Sequence, residues 1–197
     1  MDRSTRFLWS LECGKKERRL FAKAMKRLVT LLEISQEISL ITDGERRYGS
    51  TLFEICHQVL KSGKRGRPKH VLPKGMIVRV KNKGNRSHTR GRKPKKVQAP
   101  QNEHPETEQN FDDSAIHANH LEAFNASLRR KCAAFRRKTN TYAKSKETLQ
   151  LRLDMFWCLH NFVNKHFTTK QVPAVALGIL KQPLSIEQLM KIKRPNY

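Results

Sequence analysis

From residue 55 to residue 102 the chain carries no acidic residue, while fifteen Lys and Arg fall between Lys61 and Lys96. Such a stretch cannot pack against itself, because an unpaired charge resists burial through its desolvation cost. It separates the chain's apolar segments into two groups and calls for a counter-charge, either from an outside polyanion or from elsewhere in the sequence. Only residues 76–80 (Met-Ile-Val-Arg-Val) have strand composition there. The rest is Gly, Pro and basic, and reads as a loop ordered by a partner. From 103 to 113 the sign flips: Glu103, Glu106, Glu108, Asp112 and Asp113 occur with no Lys or Arg. That run is either a counter-charge holding the basic arm or a polar linker, and the linker is the simpler reading.

Over the whole chain of 197 residues, 41 Lys and Arg stand against 17 acids, a formal charge of +24 with a pI near 10.5. That excess points to a polyanion partner, since each phosphate neutralised releases condensed counterions. Apolar residues make up 37%, below the usual ~45–50%, so part of the chain is expected outside any core. No run approaches the ~20 apolar residues of a membrane span, and Asp2, Arg3 and Arg6 interrupt anything like a secretory leader. Cys13, Cys56, Cys132 and Cys158 are scattered without zinc spacing, so reduced, mostly buried thiols of a cytosolic protein are expected.

In chain order, residues 4–13 have strand composition ending at Gly14. Residues 15–33 keep helical period through Leu20, Phe21, Ala24, Met25, Leu28, Leu31 and Leu32. Residues 37–42 form a short apolar run closed by Asp43-Gly44. Strand, helix, strand predicts a crossover with the two strands parallel, which puts Asp43 at a carboxyl end, where α/β sheets place ligands. A helix over 49–60 follows, with Leu52, Ile55, Cys56 and Val59 inward. A longer amphipathic helix spans 117–135, with Leu121, Phe124, Leu128, Cys132 and Phe135 as its apolar stripe. Beside that stripe, Glu122, Asn125, Arg129 and Arg136 fall on one polar line. Residues 149–167 read as a helix with Leu149, Leu153, Phe156, Trp157 and Val163 inward. Residues 173–180 read as a short helical turn, and Ser185 with Gln188 as a capping box opening a last helix.

Two constellations carry chemistry. Arg65-Gly66-Arg67-Pro68 and Arg90-Gly91-Arg92-Lys93-Pro94 look like AT-hook cores, where Gly lets a flat backbone lie in a narrow minor groove and the Arg side chains follow it. The same residues in a solvated loop would touch phosphates without reading sequence. Asp43 and Glu122 suit a metal site for phosphoryl transfer, in which two divalent ions activate the attacking and leaving oxygens. On spacing alone, an ordinary surface helix is the favoured reading of Glu122. No Ser/His/Asp or Cys/His arrangement stands out among the histidines.

The segments 42–49 (Thr-Asp-Gly-Glu-Arg-Arg-Tyr-Gly), 117–125 (His-Ala-Asn-His-Leu-Glu-Ala-Phe-Asn), 135–144 (Phe-Arg-Arg-Lys-Thr-Asn-Thr-Tyr-Ala-Lys) and 160–163 (His-Asn-Phe-Val) resemble the insertion sequence one family of bacterial transposases. The likeness covers nearly the whole chain. It implies a DDE-type, RNase H-like α/β core, with Asp43 as the second catalytic Asp, Glu122 closing the triad and Arg129 holding terminal DNA. It implies two Mg²⁺ (or Mn²⁺) ions, double-stranded DNA as partner, a homo-oligomer on that DNA, and a bacterial nucleoid location.

An RNase H-like sheet begins with three antiparallel strands, the first bearing the first Asp, whereas one strand precedes the helix here. Asp2 suits a hairpin position better than the catalytic one. The expectation is therefore a core truncated at the amino end. Its parts would be residues 1–60 (partial core), 61–113 (basic then acidic insertion), 114–170 (Glu122 helix and the next) and 171–197 (helical tail). Two functions remain open: metal-dependent cleavage and strand transfer of element ends, or non-enzymatic DNA binding through the basic arm. DNA contacts are expected from Asn125, Arg129, Arg136, Arg65, Arg67, Arg90, Arg92 and Lys93.

Overall fold

The computed structural model describes residues 1–14, 18–42, 45–61, 66–82, 86–87, 91–92, 96–108, 119–136 and 140–192. The protein is mixed α/β and divides into two compact units, Lys15–His120 and a discontinuous one made of Met1–Gly14 with Leu121–Tyr197.

In the first unit, α1 (Arg18–Ser35) buries Phe21 and Met25 and turns its basic residues outward. It stops where the Ser35 hydroxyl donates to the Leu31 carbonyl (3.0 Å) and Gln36 turns to φ 62°. β1 (Ile38–Thr42) then starts with Ile38 N–H donating to the Gly75 carbonyl at 2.8 Å. Gly75 has φ +79°, and a Cβ there would lie 1.9 Å from the Gln36 carbonyl oxygen, so only glycine fits. α2 (Arg46–Cys56) is opened by Glu45, whose carboxylate accepts from Arg47 N–H. It begins earlier than expected and ends sooner, because His57 turns to ψ 146° and leads into β2 (Gln58–Leu60). Val59, expected on an inward helical face, is thus an exposed strand residue, while Leu52 is fully buried.

β2 pairs antiparallel with β3 (Lys69–Val71). β4 (Met76–Asn82) buries Met76, Ile77, Val78 and Val80, with Arg79 buried among them, as suits a strand covered on both faces. It is the central strand of a sheet ordered β1-β4-β7. β1 is parallel to it in register Ile38↔Met76 through Thr42↔Val80, and β7 (Lys96–Gln98) is antiparallel. Between them β5 (Arg86–Ser87) and β6 (Gly91–Arg92) form a separate two-stranded ribbon. The core gathers Met25, Leu52, Leu72, Met76 and Val78, with Leu28, Leu40 and Phe53 against it.

The acidic stretch is a counter-charge over its described part, not a plain linker. Glu103 pairs with the Arg79 guanidinium, both side chains about nine-tenths buried. Glu106 pairs with Lys74 at 3.0 Å, and the Thr107 hydroxyl accepts from Gly75 N–H at 3.2 Å.

The second unit corrects the opening of the chain. Residues 4–13 form no strand, and the parallel partner of β1 is β4 downstream. The segment opens on a turn at residues 3–5 and is otherwise irregular, and its backbone groups are met by side chains of α4 (Lys146–Cys158) and of a π-helical turn, Leu159–Val163. Asn161 accepts from Leu8 N–H (2.9 Å) and donates to the Leu8 carbonyl (3.0 Å), which also receives the Trp157 indole N–H. Gln150 accepts from Cys13 N–H (2.9 Å) and donates to the Leu11 carbonyl (3.0 Å). Side-chain amides thus replace a neighbouring strand, which is why strand-like composition produced no sheet.

The helix over 117–135 is α3 (Asn119–Lys131), followed by a 3-10 turn at Ala133–Phe135. Phe124 and Leu128 pack on Leu8 and Leu153, with Cys132, Phe135, Phe156 and Trp157 around them, whereas Leu121 is nearly half exposed and lies off the stripe. The later helix begins at Lys146, capped by Ser145, and the π turn ends it at Val163, leaving Phe167 exposed. α5 (Pro173–Ala176) and α6 (Ile186–Lys191) complete the unit, α6 with the expected Ser185/Gln188 capping box. All four cysteines are free and half-buried. Among the described residues no helix is long and apolar enough to cross a membrane.

Candidate nucleic-acid interface

α3 carries the polar line expected from sequence over two turns and then loses it. Glu122 sits exposed in the first helical turn, where a carboxylate complements the N-terminal dipole. Asn125 is half-buried one turn on, and Arg129 is exposed in the last turn beside Arg130 and Lys131. Cys132 leaves the helix with φ −118° and ψ 108°. Arg136 therefore does not continue the line; it is exposed, and its guanidinium donates to the Arg130 carbonyl at 3.4 Å. Glu122, Asn125 and Arg129 stay on one face, and Arg136 is separated from them by the break.

Asp43 lies outside the described residues, and Glu122 belongs to the other unit. β1, parallel to β4, ends at Thr42, the residue before Asp43. Among the described residues no three His, Cys, Asp or Glu side chains converge as a metal set. Asp2 acts locally, where its Oδ1 accepts from Thr5 N–H (2.7 Å), the Thr5 hydroxyl (2.5 Å) and the Ser4 hydroxyl (2.9 Å). Burial pushes its pKa up, but the bonds from Thr5 and Ser4 outweigh that and hold it below the ordinary value.

Of the AT-hook-like positions, Arg65, Arg90 and Lys93 lie outside the described residues. Arg92 has its backbone in β6, and its side chain is likewise outside them. Gly66, Arg67, Pro68 and Lys69 are all exposed, and Gly66 has φ +143° with nothing within 4 Å of a built Cβ. Backbone conformation alone demands glycine there.

The structure also assembles a cleft that sequence reasoning did not single out. It lies among α3, the 3-10 turn, α4 and the π turn, has a volume of about 430 Å³, and none of its lining residues is acidic. Phe156 and His160 stand nearly parallel along its wall, ring centroids 6.1 Å apart at 19°. The Lys131 ammonium lies 5.9 Å from the Phe156 centroid, and Arg152 is exposed at the rim. His160 Nε2 donates to the Arg6 carbonyl at 3.0 Å, which fixes Nδ1 as the acceptor nitrogen. Burial, opposed by that bond and reinforced by Lys131, lowers the His160 pKa, so the ring is neutral near pH 7. The signal was present in the one-turn spacing of Phe156 and His160, but the helical pattern assigned Phe156 to the core.

No family model, curated protein or solved structure matches the chain.

Proposed function

We propose that this chain is a DNA-binding protein of the DDE transposase kind, with an RNase H-like core, metal-dependent cleavage and strand transfer of insertion-element ends as its activity, and Asp43 and Glu122 each as a metal-ligating acid. The observation that carries this reading is the parallel pairing of β1 with β4. It makes Asp43 the residue following a carboxyl strand end, the position where α/β sheets gather their ligands. Glu122 on an exposed first turn, with Arg129 on the same face, supplies a carboxylate and a phosphate-holding guanidinium. Mg²⁺ or Mn²⁺ fits such oxygen donors, keeping its other positions for water and phosphate oxygens. The charge of +24 supplies the affinity for DNA on which a homo-oligomer would assemble at the nucleoid.

The test is Mn²⁺ titration of the full chain with duplex DNA present, for the parent and for Asp43→Asn and Glu122→Gln. Both variants should bind Mn²⁺ at least tenfold more weakly. Parent-like Mn²⁺ affinity in both would remove the metal site.

Exposure of Gly66, Arg67, Pro68 and Lys69 favours a second reading, a non-enzymatic DNA binder working through the basic arm. Deleting residues 61–96 would remove β4 and the core with it, so neutralisation is the proper test. Changing Arg65, Arg67, Arg90 and Arg92 to Gln should weaken binding and flatten the salt slope by roughly 0.9 for each phosphate no longer neutralised. An unchanged slope would exclude the arm.

A further inference from the structure

We propose that the cleft among α3, α4 and the π turn receives one unstacked nucleotide of single-stranded nucleic acid, its base against the Phe156–His160 pair and its phosphates on Lys131 and Arg152. This rests on the DNA-binding reading above and names what one surface of the protein takes. The cleft volume of about 430 Å³ lies within the ~300–1,000 Å³ span of small-ligand sites. Its wall offers an aromatic face beside Met155 and Leu159, the surface on which an unpaired base stacks regardless of its identity. Among the described residues no carboxylate pairs with Lys131 or Arg152, so both cations remain available to phosphate.

Lys131 is exposed, with its ammonium over the ring face of Phe156. It can swing to a phosphate as a base takes its place. His160 Nδ1 and the Asn164 amide supply an acceptor and a mixed donor-acceptor for the base edge. A duplex keeps both faces of each base covered by its neighbours, so it cannot use this wall. An acidic peptide would satisfy the cations and leave the aromatic pair unfilled.

The experiment uses the full chain and fluorescence anisotropy with a dT oligomer and an abasic strand of equal length. The dT strand should bind roughly tenfold tighter, the worth of one stacked base. Phe156→Leu should erase that difference while leaving the abasic affinity in place. Arg152→Gln should weaken both strands and reduce the salt slope by about 0.7. Cys132 lines the cleft, so bound dT should slow its alkylation by iodoacetamide in peptide mass mapping, a readout that needs no variant and decides the matter if Phe156→Leu does not fold.

Equal affinity for dT and abasic strands with unprotected Cys132 overturns the proposal. So does equal protection by a poly-glutamate peptide. Duplex binding retained without Cys132 protection sinks the cleft alone, whereas loss of binding to every nucleic acid sinks the DNA-binding reading as well.

Discussion

Asn161 is fully buried and meets both the N–H and the carbonyl of Leu8, so its amide imitates the edge of a strand. Asn161→Leu keeps the volume but strands a buried N–H; a loss of about 2–3 kcal/mol is expected in urea unfolding. Gly75→Ala should be as damaging, through the left-handed φ and the 1.9 Å approach to Gln36, with the midpoint of unfolding falling sharply. His160 gives a pH signature. Its folded pKa is depressed by burial, so the unfolded chain takes up the proton first as pH drops. Its share of stability is complete above about pH 6.5, the ordinary value, and is lost as pH falls below it. Melting temperatures from pH 7.5 to 5 should therefore decline, and His160→Phe should flatten that decline even if it lowers the whole curve.

Among the elements, the sheet depends on an ion pair that composition alone left ambiguous. Removing Glu103 leaves the Arg79 guanidinium, otherwise bonded to the Val78 carbonyl at 3.1 Å, buried without its counter-charge. Glu103→Leu should cost roughly 3–5 kcal/mol, whereas the double change Arg79→Met with Glu103→Leu should recover most of it; chemical denaturation of the four proteins measures the cycle. Elements whose periodicity matched their burial were readable: α1 from Phe21, Met25 and Leu28, β1 and β4 from their apolar runs, α6 from Ser185 and Gln188. The opening segment was not, because strand composition does not show what its backbone will bond to. Whether the pairing groups come from a strand or from Gln150, Trp157 and Asn161 is a tertiary fact. The polar line on α3 was legible as far as Arg129 and failed at Cys132, where no Gly or Pro marks the break. The cleft was hidden because Phe156 carries a core-facing spacing and also serves as a wall.

At the scale of the whole molecule, both tryptophans, Trp9 and Trp157, belong to the discontinuous unit, and none belongs to the other. Indole emission should therefore follow that unit alone. A chain lacking residues 1–14 should show Trp157 shifted to the red, while the circular dichroism of the sheet unit persists. Unshifted emission would mean the opening segment adds nothing to the core around Leu8.

The division also sets an order of events on the ribosome. Residues 15–120 carry everything their own sheet needs and can close while the chain is still growing. Residues 1–14, made before them, must wait for Gln150, Trp157 and Asn161, roughly eight to thirty seconds later at ordinary elongation rates of ~5–20 residues per second. Through that interval Phe7 and Leu8 remain uncovered, although they are made before the helices that will bury them.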